Sequence, residues 1–370
     1  MTRVLLLAVA VLRACVAQAD VTCLAGGPTA TGNGATPANA PVQPQHLFVD
    51  RDGSVLIASG KQNQIRRLEP GVMLGVVGTG AQGADGDGGP ANLARITYPL
   101  SVVTTGGTLY LIDQGGSRGI RAVGPDGLLR TVATGHYGGL ATDGTSLYAT
   151  LPDANFGGPR VVRWALPCYP TCALATTLAG TGTQDFTGDG GQATAAALNY
   201  PRDVAVYGGV VYIADTNNQR VRTVTPDGVI RTVAGGGSVL GDGGPATAAR
   251  LQYPSAIALA QDGTLYIADG QHRIRRVRQG VIDTVLGTGT AQDMQHWVTA
   301  SDPLQQPVTA PTGVAVAGDG VVYVGSESDQ VLYRLDLGPP PTVTAVAAAT
   351  PADTPTAVAT ATVAGKVCGG

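Results

Sequence analysis

Four histidines are scattered through this 370-residue chain: His46, His136, His272 and His296. Imidazoles titrate near neutral pH and bind zinc when neutral, so three drawn from separate segments would suffice for a metal centre. His46, His136 and His296 each lie ahead of a strand-rich unit, which makes them the candidate metal set. The competing reading is that they are unrelated, solvent-facing side chains. Asp-Gly-Asp-Gly-Gly at 85–89 opens like a calcium loop, but the twelfth residue of that frame is Ile96, where a bidentate Glu belongs. Gly-Asp-Gly-Gly returns at 188–191 and 241–244. That recurrence favours turn chemistry, with glycine supplying positive φ and aspartate capping the turn. Arginine recurs too, at Arg66, Arg121, Arg163, Arg220, Arg275 and Arg334. These would form either an anion-binding ring or internal ion pairs, such as Asp215 with Arg220. No Gly-x-Ser-x-Gly elbow, phosphate loop or His-Glu-x-x-His is present, so no catalytic residue is assigned and no cofactor is expected.

Whatever these residues do, a repeated unit must position them. Residues 201–231 contain Pro-Arg-Asp-Val-Ala-Val, then Tyr-Ile-Ala-Asp, then Arg-Val-Arg, and the phrase returns from Pro254 and, more worn, from Pro99 and Pro311. Leading positions at Pro44, Pro99, Gly138, Pro201, Pro254 and Pro311 mark six units; single intervals are 55, 53 and 57 residues, and Pro99 to Pro201 spans 102 across two units. Each unit holds three or four short Val, Ile, Leu and Tyr runs parted by Asp-Gly, Gly-Gly or Asn-Asn turns, which are strand and hairpin signals. Four short strands at this period predict an all-β, six-bladed β-propeller, whose radial closure leaves only short sheet edges. Residues 21–25 resemble residues 232–236, a blade's last strand, although no blade precedes them. They are therefore expected to close the sixth unit, with Thr342-Val-Thr-Ala-Val-Ala-Ala as the C-terminal alternative.

Composition places the chain outside the cell. Residues 1–19 combine Arg3, an apolar run from Val4 to Leu12, and Ala17-Gln-Ala19 before Asp20, which predicts a secretory signal cleaved between Ala19 and Asp20. No later run is long enough for a transmembrane segment. A net charge of −3 offers no basic face for nucleic acid or membrane. Of five cysteines, Cys15 leaves with the signal. Cys168 and Cys172 are expected to form a local disulfide, leaving Cys23 and Cys368 as the remaining pair. From residue 338 to 370 the chain turns to Pro, Thr, Ala and Val, an extended tail suited to O-glycosylation. The expected organisation is thus 1–19 signal, 20–337 propeller and 338–370 tail.

Tyr-Ile-Ala-Asp-x-x-Asn-x-Arg-Val-Arg at 212–222, repeated at 266–276 with His272 at the Asn position, resembles the signature of the NHL-repeat family of six-bladed propellers. The Gly-Asp-Gly-Gly-Pro-Ala loops at 86–91 and 241–246 resemble that family's extracellular variety. The resemblance implies a binding platform, and fold alone does not assign a ligand. Loops leading into each inner strand and turns between second and third strands emerge on one face of a propeller. The expected ligand face therefore carries Asp215, Asn217, Asn218, Asp269, Gln271 and His272, with Trp297 in a long irregular loop as an aromatic anchor. The expected role is a secreted, non-enzymatic module binding an extracellular protein or glycan. The alternative is a metal-dependent lyase or hydrolase: the layout of His46, His136 and His296 is similar to that of the peptidyl-hydroxyglycine lyases, which hold zinc with histidines from three blades.

Overall fold

A computed structural model describes residues 20–26, 42–116, 119–153, 155, 157–291 and 302–337. Trp297, His296, Cys368, Ala19 and the segment 342–348 lie outside these residues. Five sheets follow in chain order as meanders, each with the inner strand first: Pro44–Val49 opens blade 1, Ser101–Thr105 blade 2, Leu140–Thr142 blade 3, Pro201–Tyr207 blade 4 and Ala256–Leu259 blade 5. Blade 6 has Gly313–Val316, Val322–Ser326 and Val331–Asp336, and its outer strand is Asp20–Gly26, antiparallel to Val331–Asp336. Among the described residues the only helical pieces are short 3-10 turns.

The second strand of a blade reads as a continuous apolar run because it is covered on both faces. Every residue of Val55–Ser59 and of Leu265–Asp269 is buried. The outer strand of every blade also carries a register irregularity at the same place, opposite Ile65/Arg66, Ile120/Arg121, Val161/Val162, Val221/Arg222 and Ile274/Arg275. The N-terminal strand has it as well, between Cys23 and Ala25. A bulge bends and twists a strand, and here it recurs where each outer strand meets the neighbouring blade.

The core lies between blades rather than within them. One cluster joins Ile65 and Val77 of blade 1 to Val102 and Leu111 of blade 2 through Ala91, Ala94 and Ile96 of the connecting loop. Ala193 and Ala246 plug the equivalent gaps between blades 3 and 4 and between blades 4 and 5. Cys168 and Cys172 form a disulfide between the third and fourth strands of blade 3. Cys23 is exposed and has no disulfide partner among the described residues.

Candidate binding site

The Gly-Asp-Gly-Gly loops are ion-pair devices. Asp87 accepts from Arg121 Nη2 at 2.7 Å, Asp189 from Arg222 Nη2 at 2.7 Å, and Asp242 from Arg275 Nη2 at 2.6 Å. The second carboxylate oxygen of each accepts from the outer strand of the same blade, at Thr131 N, Thr232 N and Thr284 Oγ1. Each arginine also faces the aspartate that ends its blade's second strand: Asp113 at 3.0 Å, Asp215 at 3.5 Å and Asp269 at 3.6 Å. The calcium reading fails for a physical reason, since arginine together with a backbone N–H or a threonine hydroxyl already occupies each of these carboxylates. Gly86 has φ +89°, and a Cβ there would fall 2.6 Å from Ala94.

Two sequence expectations need correction here. The partner of Asp215 is Arg222, not Arg220; Arg220 donates to Asn218 O and lies 3.8 Å from the Phe186 ring centroid. The recurrent buried position holds Arg66, Arg121, Arg222 and Arg275, whereas blades 3 and 6 put Val162 and Tyr333 there. Arg163 is exposed and Arg334 pairs at the surface with Asp336, so no six-membered ring exists.

The expected ligand turns are mostly spent on the fold. Asp215 and Asp269 are fully buried beneath the face. They cap the backbone N–H of Asn199 and Gln252, both at 2.7–2.8 Å. Burial pushes Asp215 up to about 6 against its hydrogen bonds, and raises Asp269 for the same reason. Asn218 donates to Asp185 O and to Asp215, Gln271 accepts from Arg250, and His272 Nδ1 accepts from Ala310 N at 3.0 Å. Among the described residues of this set only Asn217 is exposed.

The same face has a second feature, at its axis. Where the inner strands begin, two residues after each leading proline and directly after Gly138 in blade 3, stand His46, Ser101, Gly139, Asp203, Ala256 and Gly313. His46 and Asp203 come from opposite blades and meet over the axis, Nε2 to Oδ1, at 4.0 Å. Three of the ring side chains tie their blade to the next: Val102 N donates to His46 Nδ1 at 3.4 Å, Leu140 N to Ser101 Oγ at 3.1 Å, and Ile257 N to Asp203 Oδ2 at 2.8 Å. The bond to Nδ1 places the neutral imidazole's proton on Nε2, facing Asp203. Gly139 must be glycine, because a Cβ would fall 2.6 Å from Asp203 Oδ1. Desolvation lowers His46 to about 4 and raises Asp203 to about 7.

This pair divides the axis into two compartments. Beyond it lies a space of about 170 Å³ lined by the inner strands of all six blades, with mostly aliphatic side chains and their backbone. On the near side a polar cavity of about 200 Å³ is lined by Gln45, Tyr98, His136, Tyr200, Arg202 and Glu327, among others. The fold therefore brings His46 and His136 to one cavity. Among the described residues no group of three or more His, Cys, Asp or Glu is placed to hold a metal.

Tyr98 and Tyr200 escaped the sequence reading. Each immediately precedes a leading proline, as Tyr253 does, and their φ angles are +45°, +53° and +47°. A residue before proline is steered toward extended backbone, and a non-glycine residue at positive φ is uncommon, so these are held conformations. The recurrent Tyr-Pro dipeptide was the available signal. Tyr98 Oη donates to Glu327 Oε1 at 2.7 Å, and Tyr200 is 40% exposed at the mouth.

A family model described as the Teneurin NHL domain matches residues 177–240 and 237–303. Over these residues the chain is similar to an NHL-repeat domain, and the six-bladed architecture agrees with it. Teneurin-4 of Mus musculus is 23% identical to this chain over 326 residues, and Teneurin-1 of Homo sapiens 21% over 318 residues; each alignment covers 79% of this chain and 12% of the relative. The propeller thus spans a small part of the relatives it matches. Among solved structures, an auxiliary nutrient binding protein from Bacteroides thetaiotaomicron VPI-5482 aligns with a TM-score of 0.62 and 14% identity, covering 86% of this chain and 76% of that one. At that identity the likeness is one of fold. No helix among the described residues is long and apolar enough to cross a membrane.

Proposed function

We propose that this chain is an extracellular, non-catalytic recognition module that engages a secreted or cell-surface protein or glycan at the axial mouth of its lead-in face. One observation carries the reading. The two residues after each leading proline are Gln45-His46, Leu100-Ser101, Arg202-Asp203, Ser255-Ala256 and Thr312-Gly313, and blade 3, which lacks the proline, has Gly138-Gly139 at the same place. A repeat whose strand order recurs in all six blades and whose ion-pair clamp recurs at three junctions thus varies in residue type where it lines the cavity, and sites on repeat folds are built from such departures. Half-exposed Tyr200 beside Arg202 supplies the aromatic and arginine pairing that concentrates binding energy. Residues 1–19 serve as a cleaved signal, so the secreted protein starts at Asp20, and residues 338–370 act as a glycosylated stalk. The teneurin relatives support a protein-engaging role.

The test presents the secreted chain to panels of extracellular proteins and glycans. Capture is expected to fall about tenfold or more in the double variant Tyr200→Ala, Arg202→Glu, with an unchanged melting curve. It is expected to survive Asp227→Lys, in an exposed turn on the opposite face. Capture indifferent to the double variant, or substrate turnover by the purified chain, would overturn the reading.

A further inference from the structure

The chemistry of the cavity narrows what it can take. Gln45 is 6% exposed and lines it, yet its Nε2 has no hydrogen-bond partner among the described residues. A buried amide donor without a partner costs stability unless something that enters the cavity accepts from it. His46 presents Nε2–H at the floor, with its nearest carboxylate oxygen 4.0 Å away, beyond hydrogen-bond range. The hydroxyls of Ser255 and Thr312 are already committed to backbone carbonyls, of Pro311 and Pro44. The groups with spare capacity are therefore planar: the Gln45 amide, the Arg202 guanidinium, and the Asp203 and Glu327 carboxylates.

Their signs are mixed. Arg202 is close enough to bear on both Tyr98 and Asp203. A cationic ligand would meet Arg202, and an anionic one would meet Glu327 and Asp203. A neutral molecule with adjacent hydroxyls satisfies both kinds of group, since each hydroxyl donates once and accepts twice. Size agrees: an engineered cavity of about 150 Å³ accepts benzene, and about 200 Å³ here admits one six-membered ring with its substituents.

We propose that the axial cavity holds one neutral pyranose unit of a glycan, with Gln45 and Arg202 donating to its hydroxyls, Glu327 and Asp203 accepting from them, and Tyr200 covering its apolar face. The assignment rests on the lead-in face being the ligand face, and the experiment separates the two. Saturation-transfer NMR on the full chain would use methyl α-D-glucopyranoside, methyl α-D-mannopyranoside and methyl β-D-galactopyranoside, with methylammonium, acetate and glycine as charged and zwitterionic probes. At least one glycoside is expected to bind with a dissociation constant of about 1–10 mM. Affinity should weaken about fivefold in Gln45→Leu and in Tyr200→Ala, while the latter, at the exposed mouth, keeps its melting temperature. The proposal falls if no glycoside gives transfer, if transfer is unchanged in both variants, or if glycine or either charged probe binds in preference. If glycosides fail while a captured protein is lost in Tyr200→Ala, the sugar assignment falls and the face stands. If Tyr200→Ala with Arg202→Glu leaves every capture intact, both fall.

Discussion

At the blade junctions and at the axial mouth, arginine and aspartate stand side by side with different degrees of satisfaction. At the junctions of blades 1 and 2, 3 and 4, and 4 and 5, every charged group has several partners. Arg222, fully buried, bonds Asp189, Ala197 O and Thr187 O and faces Asp215. At the mouth, Asp203 and His46 stand 4.0 Å apart, and Gln45 Nε2 has no partner among the described residues. The junction network recurs because each copy solves the same packing problem. The mouth has no such uniformity, because six equivalent positions converge on one axis with room for only a few side chains. His46 and Asp203 occupy that room, and Gly139 and Gly313 yield it. At these junctions the guanidinium ends are thus held several times over and only Nε of Arg121 and of Arg275 lacks a partner among the described residues, whereas at the mouth Gln45 Nε2 lacks one beside a cavity that a ligand can enter.

Removing the strand Asp20–Gly26 should have the largest effect, because it strips blade 6 of its outer strand while touching no residue of the mouth. The melting temperature is expected to fall by roughly 10 °C or more, through an exposed edge and the loss of buried Ala25. An unchanged curve would hand closure to another segment.

Next comes Arg222→Ala, which leaves Asp215 buried without its countercharge. Taking one partner from a buried pair costs about 3–5 kcal/mol, measured by denaturant unfolding, and ligand capture by the folded fraction should persist. A loss under about 1 kcal/mol would mean that the junction is held by apolar packing alone.

The pH dependence sets the two residues over the axis against each other. Asp203 is raised to about 7 in the folded protein. The folded state therefore holds that proton more tightly, and its contribution to stability is lost as pH rises from about 4 to about 7. His46 is lowered to about 4, so the unfolded state binds its proton more tightly, and its contribution grows as pH rises from about 4 to about 6.5. Asp203→Asn should therefore tilt the stability profile upward with pH relative to the parent protein, and His46→Gln should tilt it downward. Each change is at most about 1.4 kcal/mol per pH unit. Equal profiles for parent and variants would remove the pair from the account.

Asn217→Ala should do least. Its side chain is exposed, with a single 3.4 Å contact to Asn199, so the change in stability should stay within about 0.5 kcal/mol. A clear loss of ligand capture in this variant would move the binding site outward from the axis.

The sequence by itself determined the propeller, the number of blades and the recurring wording, because each blade's strands and turns are local and any one copy reports on the others. It also pointed to Cys168 and Cys172, four residues apart, as a pair. Tertiary structure decided which arginine enters the junction. Arg220 and Arg222 sit two residues apart on one strand, so alternation puts both on the same side, and the bulge beside Val221/Arg222 and the loop from the preceding blade select the buried one. It likewise decided that Asp215 and Asp269 lie beneath the face rather than on it, a matter of burial that a repeated motif does not carry. Above all it made the mouth. His46 and Asp203 are 157 positions apart, and no local signal links them. They meet only because six strands of fixed tilt close into a ring, where opposite blades lean toward a common axis.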